Sequence, residues 1–455
     1  DLQANVLYER APQTFFNSFQ TRSNHMSSAH FILLGLIGLC PVIVTVDGPL
    51  LPYLVPFLLA SGLILVSVKL PAREAQHMSE VVSRPYLLGA ALPAILMIIQ
   101  MLPLPFLANP VWTSVSPGFR NGITGSISVD VGATAIALMN YLSAAGMLLL
   151  AAAVAINRNR AESILISTTA AVVFIAFACL MQDLFLHDLF GINILAHRES
   201  ALEIACLGMT LSAACGLLVF ERHETRGSHN VKAKRKFLIS SVACLTGFVI
   251  CASAIAITKS GSMIFASGSG LLTFVAVTAI RRWALGRLGA AAIGVTAAVI
   301  AIALVTVAAS DPDPRFAFVN KGAATIELSQ RILNDAPFFG YGAGSFRALV
   351  PIYQSSNAGS LVVEAVTAAA KLSIEMGKVM LWFAILAASL AVFHLLRGAA
   401  RRGRDSFYAA AAGACLVTLM VQAFIFSYLS GWAVVLLSAT IFGLGLTQSK
   451  SRTVS

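Results

Sequence analysis

The chain has 455 residues, 58% of them hydrophobic and only 11% charged, with a formal net charge of +11. A soluble domain carries about 25% charged residues, so the composition excludes a soluble globular protein, and equally a disordered chain or a disulfide-stapled secreted module. In a soluble chain the positive excess would point to nucleic acid; in a membrane chain the basic residues must first be located.

Residues 1–28 are polar with scattered aromatics (Phe15, Phe16, Phe19) and are expected to lie along the cytoplasmic membrane surface. Apolar runs follow at about 29–46, 49–69, 85–103, 131–156, 161–182, 199–220, 236–257, 262–281 and 287–309, which are predicted spans 1 to 9. Each is near the ~20 residues a helix needs to cross the hydrocarbon core. Residues 310–378 then form the one connection large enough to fold as a small domain. Spans 10 to 12 at 379–397, 406–429 and 432–447, and a tail at 448–455, complete an all-α polytopic membrane protein of about twelve transmembrane helices.

Lys and Arg accumulate on cytoplasmic loops. With both termini inside, 22 of the 31 basic residues fall on inside segments, among them Arg158, Arg222, Arg281 and Arg282. Nine remain outside, including Arg198, Arg331 and Arg347, so the 310–378 loop is expected to face outward, in the periplasm. The positive charge therefore reads as a topology signal, with no nucleic-acid partner. All seven cysteines lie in apolar runs without a CxxC pair, the pattern of small buried hydrophobes, and no metal site is expected. No helix middle carries Asp, Glu, Lys or Arg, which counts against a pump or secondary transporter. The Gly/Ser-rich stretch from Ser260 to Gly270 suits close helix packing.

Within the large loop, Asn320 to Asn334 predicts an amphipathic helix with the stripe Ile326, Leu328, Ile332 and Leu333, ended before Pro337. Gly340-Tyr-Gly342-Ala-Gly344 follows, between Arg331 and Arg347. Such a turn can offer backbone N–H groups to an anion while two guanidiniums clamp phosphate oxygens; the alternative is a loop with two solvated arginines. No βαβ unit surrounds it, which excludes a dinucleotide fingerprint. His197-Arg198 stands at the outer mouth of span 6, with Glu199 and Glu203 four apart on one helix face. It reads either as an anion-binding arginine beside an acid/base or as a helix N-terminus whose acids complement its dipole.

Several of these stretches resemble the O-antigen ligase and exopolysaccharide polymerase superfamily. Ser126-Ile-Ser-Val-Asp130 with Gly132-Ala-Thr134 is similar to the motif ahead of span 4, and Arg198 stands where the family has an Asn-Arg-Asn triplet. Thr258-Lys-Ser260 falls at a T-x-S-R-G-G motif, and Asn334 to Phe346 resembles P-x-x-G-x-G-x-G-x-F. Glu375 and Gly377 match the end of the large-loop motif. The resemblance implies a multi-span protein of the bacterial inner membrane that transfers glycan from an undecaprenyl-diphosphate carrier without metal or cofactor. Its partners would be that lipid-linked glycan and membrane lipids. It marks Arg198, Glu375 and His197 as candidate catalytic residues, and Arg198, Arg331, Arg347, Gly342 and Gly344 as candidate diphosphate ligands. The chain also departs from the pattern. The 310–378 loop has no histidine, Val366 and Thr367 stand at the family's His and Asn positions, and Gly261 replaces the S-R-G-G arginine. A non-catalytic subunit or scaffold working with other membrane subunits thus stays open, as does a lipid-carrier flippase or exporter.

Overall fold

The computed structural model describes residues 28–46, 51–69, 72–81, 84–115, 125–186, 195, 197–226, 231–282, 323–354, 365–401, 405–427, 429 and 431–449. The predicted N-terminal segment up to residue 27, span 9 at 287–309 and the tail from residue 450 lie outside them. Among the described residues all regular structure is helical. In chain order, α1 (Ser28–Thr45), α2 (Leu51–Lys69), α3 (Ala72–Val81), α4 (Arg84–Met101) and the short α5 (Pro110–Val115) lead into α6 (Val131–Val154). Then come α7 (Arg158–Met181), continued by a π turn at Gln182–Leu186, α8 (Arg198–Arg226), α9 (Val231–Ile257) and α10 (Gly261–Arg282). The large loop contributes α11 (Ala323–Asp335), α12 (Phe346–Tyr353) and α13 (Ala368–Met376), and α14 (Lys378–Arg401), α15 (Ser406–Ile425) and α16 (Trp432–Ser449) close the bundle.

Nine of these helices (α1, α6 to α10 and α14 to α16) are long and apolar enough to cross a membrane, and α2 and α4 contain shorter apolar stretches. Together they fall on eleven of the twelve predicted runs. This is the architecture of a multi-pass membrane protein, and its surface agrees. On α9, Leu238, Ile239, Val242, Leu245 and Val249 are each 52–64% exposed along one face. A soluble monomer rarely leaves so continuous an apolar stripe bare; here it faces lipid.

Helix starts are set by short polar side chains that accept otherwise orphaned N–H groups. Asp130 accepts from Ala133 N at 2.9 Å to begin α6, and Asn157 accepts from Asn159 N at 3.0 Å to begin α7. Inside the bundle α8 packs on α7, α9, α10 and α15, while α15 also packs on α10, α14 and α16. Close approach depends on missing side chains. A Cβ on Gly443 of α16 would stand 2.4 Å from the Leu148 carbonyl oxygen of α6. The packing role read for Ser260 to Gly270 applies at Gly270, which abuts Thr418 and Ala414 of α15, whereas at Gly268 a Cβ would meet nothing within 4 Å.

The two ends of the bundle differ. Where α7 and α15 begin and α8 and α10 end, Arg158 pairs with Asp405 at 2.6 Å, Arg281 with Glu221 at 2.6 Å, and Arg222 with Glu162. At the opposite end, α11 to α13 build a cap around Leu328, Ile332, Tyr341, Phe346, Leu349 and Ile374. The predicted stripe thus supplies part of the cap core through Leu328 and Ile332. The cap is fastened to the bundle where Ala368 N donates to the Phe426 carbonyl at 2.7 Å, just past the end of α15.

Candidate functional site

Three stretches far apart in sequence meet beneath the cap. Val129 N donates to the Tyr341 carbonyl at 2.9 Å, Tyr341 N to Ile374 O at 2.9 Å, and Gly342 N to Glu375 O at 3.0 Å. Gln100, fully buried on α4, ties them to the bundle. Its amide nitrogen donates to Phe339 O at 2.7 Å and to Glu375 O at 3.0 Å, and its amide oxygen accepts from Ala343 N at 3.1 Å. Ser128, also buried, shares a 2.7 Å hydrogen bond with Thr134 and accepts from Trp112 Nε1 on its carbonyl at 3.0 Å.

The glycines of the turn are demanded by geometry. Gly340, Gly342 and Gly344 have φ of 71°, 106° and 78°, where a side chain is strained. A Cβ on Gly342 would also lie 2.2 Å from Ser128 Oγ, and one on Gly340 2.4 Å from Glu375 O. The turn does gather backbone N–H groups around an anion, and that anion belongs to the chain. The Glu375 carboxylate accepts from Gly344 N and, at 3.3 Å, from Phe346 N. The N–H groups of Gly342 and Gly344, expected to face a diphosphate, are therefore both engaged by Glu375. Glu375 itself, a candidate catalytic residue from the resemblance, is only 8% exposed. Burial raises its pKa, against the opposing pull of Lys371 and of the Gly344 and Phe346 N–H groups.

The predicted arginines occupy different settings. Arg331 pairs with Glu327 one turn earlier on α11 at 2.5 Å, with both side chains at least 60% exposed. Arg347 is exposed next to Phe346, whose ring fills the cap core. Arg198 opens α8 and forks onto Asp183 in the π turn, Nε to Oδ1 at 2.9 Å and Nη2 to Oδ2 at 2.8 Å. The Arg198 side chain is 43% exposed and that of Asp183 12%. His197 is exposed, and its N–H donates to the Val44 carbonyl near the end of α1 at 3.2 Å. Glu199 is exposed but Glu203 is buried, since α15 covers that helix face one turn deeper. Gln422 of α15 donates to the Glu203 carbonyl at 3.0 Å, and four residues on Phe426 carries the cap. The start of α8 and the cap thus share one end of α15.

Val366 and Thr367 do structural work. Val366 N donates to Ser329 Oγ at 3.3 Å, and Thr367 caps α13 through Ala370 N at 3.1 Å. Sequence reading missed Gln100, and it noted Asp183 in the outward stretch 183–198 without a role beside Arg198. Gln100 was visible as the lone amide in an apolar run, and Asp183 as an acid directly after span 5; polar groups at membrane depth are rare enough to mark a site. Between α4, α6, α15 and α16 lies an apolar cavity of about 380 Å³, lined by Ala90, Tyr141, Leu148, Leu419, Leu429 and Phe442 among others. Among the described residues no group of three or more His, Cys, Asp or Glu is arranged to hold a metal. No family model matches the chain, and no curated protein matches it.

Proposed function

We propose that the protein is a membrane glycosyl transferase of the polysaccharide polymerase or ligase kind, drawing its glycan from an undecaprenyl-diphosphate carrier. In this reading it sits in the bacterial inner membrane with twelve spans, both termini cytoplasmic and the cap outside. The observation that carries the reading is the convergence beneath the cap. Ser126 to Thr134, Asn334 to Phe346 and Glu375 to Gly377, each resembling a motif of that superfamily, are hydrogen-bonded into one joint. Arg198 opens α8, whose second turn and the cap both attach to the same end of α15. In this reading the joint shapes the cap, and the chemistry falls to the exposed His197 and Arg198 at the start of α8.

Arg198 is the diphosphate ligand in this scheme. A guanidinium fork stays charged and matches phosphate oxygens, and Asp183 holds that fork in position. The acceptor hydroxyl attacks the anomeric carbon, and the bond from that carbon to the diphosphate oxygen breaks. The electron pair leaves on the diphosphate, whose growing charge Arg198 stabilises. His197, exposed beside it, takes the hydroxyl proton. The apolar cavity suits a stretch of the isoprenoid tail. Arg198→Ala should abolish polymer while leaving expression and insertion intact, and Arg198→Lys should restore only part. Wild-type polymer from the Arg198→Ala strain would refute the catalytic role.

A second reading has its own observation. Val366 and Thr367 are built into the cap, and Glu375 is buried against backbone, as in a family member kept for its shape. In that case the protein serves as a non-catalytic membrane subunit, and it should co-purify with other membrane subunits at fixed stoichiometry.

A further inference from the structure

The bundle end opposite the cap carries a second arrangement that glycan transfer does not use. A pocket of about 350 Å³ opens there between α7, α8, α10 and α15, lined by Arg158, Arg222, Arg281 and Arg282 with Glu221, Glu224 and Asp405. The four guanidiniums are matched by Asp405, Glu221, Glu224 and, just outside the lining, Glu162 on Arg222, so the pull on an anion rests on spare N–H donors and on Arg282, which is only loosely paired. Two of the ion pairs also leave donors over. Arg158 gives Nη2 to Asp405 and Arg281 gives Nη2 to Glu221, yet Arg158 Nε and Arg281 Nη1 are buried without a hydrogen-bond partner among the described residues. A buried charged donor left unpaired is costly, and both lie on residues that line the pocket.

The pocket continues into the bilayer. An open apolar groove of about 460 Å³ runs along α8 and α10 between Ala213, Gly216, Phe274 and Ala279. Leu217, Phe220, Thr278 and Arg282 line both spaces. At the junction the Arg282 guanidinium lies over the Phe220 ring, 4.7 Å from its centroid. Polar donors at the membrane rim thus grade into a hydrocarbon-lined channel along one pair of helices.

We propose that this pocket binds the phosphate headgroup of an anionic membrane lipid, whose acyl chain lies in the α8–α10 groove. Guanidinium forks suit phosphate oxygens, and basic pockets between transmembrane helices are a recurrent setting for acidic headgroups. A soluble phosphate compound shares the headgroup chemistry but would have no use for the groove, and this decides between the two sources. The site is independent of glycan transfer, lying at the other end of the bundle.

The test uses the full chain, purified in detergent and titrated with dioleoyl-phosphatidylglycerol, dioleoyl-phosphatidylcholine or inorganic phosphate. Native mass spectrometry and thermal unfolding provide the readouts. Phosphatidylglycerol should be retained and should raise the unfolding temperature, whereas phosphatidylcholine with the same tails should do neither and phosphate should not displace it. Arg282→Gln should lower phosphatidylglycerol retention about fivefold, the contribution of one arginine near an anionic surface. Arg282 pairs with Glu224 only at 3.8 Å with both side chains more than half exposed, so folding does not depend on it. Ala279→Phe, which fills the groove without touching charge, should lower retention as well. Equal retention of the two lipids by the wild type overturns the proposal, as does retention unchanged in both variants. Displacement by phosphate with Ala279→Phe silent assigns the pocket to a soluble anion and overturns the lipid assignment.

Discussion

Gly377 is where the cap hinges onto α14, and replacing it tests whether the joint beneath the cap holds as described. Its φ of 88° and ψ of 156° lie in a region open essentially to glycine alone. A Cβ there would stand 2.0 Å from the Phe338 carbonyl oxygen and 3.0 Å from its carbon. Both atoms are backbone, so no rotamer relieves the contact, and the turn from Phe338 to Gly340 must move. That segment carries the Gln100 bond at Phe339 and leads directly into Tyr341 and Gly342, which donate to Ile374 O and Glu375 O. Backbone strain alone costs about 1–3 kcal/mol, and with the clash Gly377→Ala should destabilise the cap by about 3–4 kcal/mol. At 1.4 kcal/mol per tenfold, local opening rises by two to three powers of ten. Amide exchange in lipid nanodiscs reads this directly. Residues 338–346 and 368–376 should exchange faster by that factor while α7 to α9 stay unchanged. Gly268→Ala, whose Cβ finds open space, serves as control and should leave exchange where it was. Cap exchange in Gly377→Ala within about threefold of wild type would refute the geometry, since so small a factor is under 1 kcal/mol.

Gln100→Leu keeps the volume but removes the partners of Phe339 O and Ala343 N. At about 1–3 kcal/mol for each group stranded, the cap should become sensitive to trypsin in folded, lipid-embedded protein, and unchanged resistance would contradict the clamp. Glu375 sets the pH dependence. Its folded-state pKa is raised, so the cap's stability from this group is complete below the ordinary glutamate pKa and is lost as pH rises through the raised value. Cap exchange, corrected for intrinsic rate, should therefore accelerate with pH, and Glu375→Gln should flatten the dependence; protection that grows with pH would reverse the sign.

The spans were legible because each run is apolar all round and about as long as the hydrocarbon core is thick. What the runs could not mark is where polar turns extend a helix. α8 continues past the predicted 220 to Arg226 because Glu221 and Arg222 are paired at the bundle end, with Arg281 and Glu162. α3, at Ala72–Val81, escaped notice because a polar helix between spans reads as loop. In the cap, the 3.6-residue stripe located α11 and its end before Pro337. The glycine turn was legible as a cluster of N–H donors but not in its partner. The carboxylate it holds lies about thirty residues downstream, and only the fold brings Glu375 back to Gly344.

The same arithmetic separates the arginines. Arg331 and Glu327 form an exposed i,i+4 pair worth only about 0.3–0.5 kcal/mol, so Arg331 is available to a ligand but nothing aims it. Arg158, Arg222 and Arg281 are committed to carboxylates at the bundle end; position along the chain made them topology signals, and only packing makes them line one pocket. Arg198 combines the two properties a diphosphate ligand needs. It is aimed by a bidentate partner that is itself nearly buried, and it keeps 43% of its side chain exposed. Asp183→Asn therefore separates aim from charge. The guanidinium stays, one of its two acceptors becomes an amide, and transfer should fall less than in Arg198→Ala but more than in Arg331→Ala. That order follows if orientation of the fork matters as well as its charge. Asp183→Asn at wild-type rate would mean that the charge of Arg198 alone suffices.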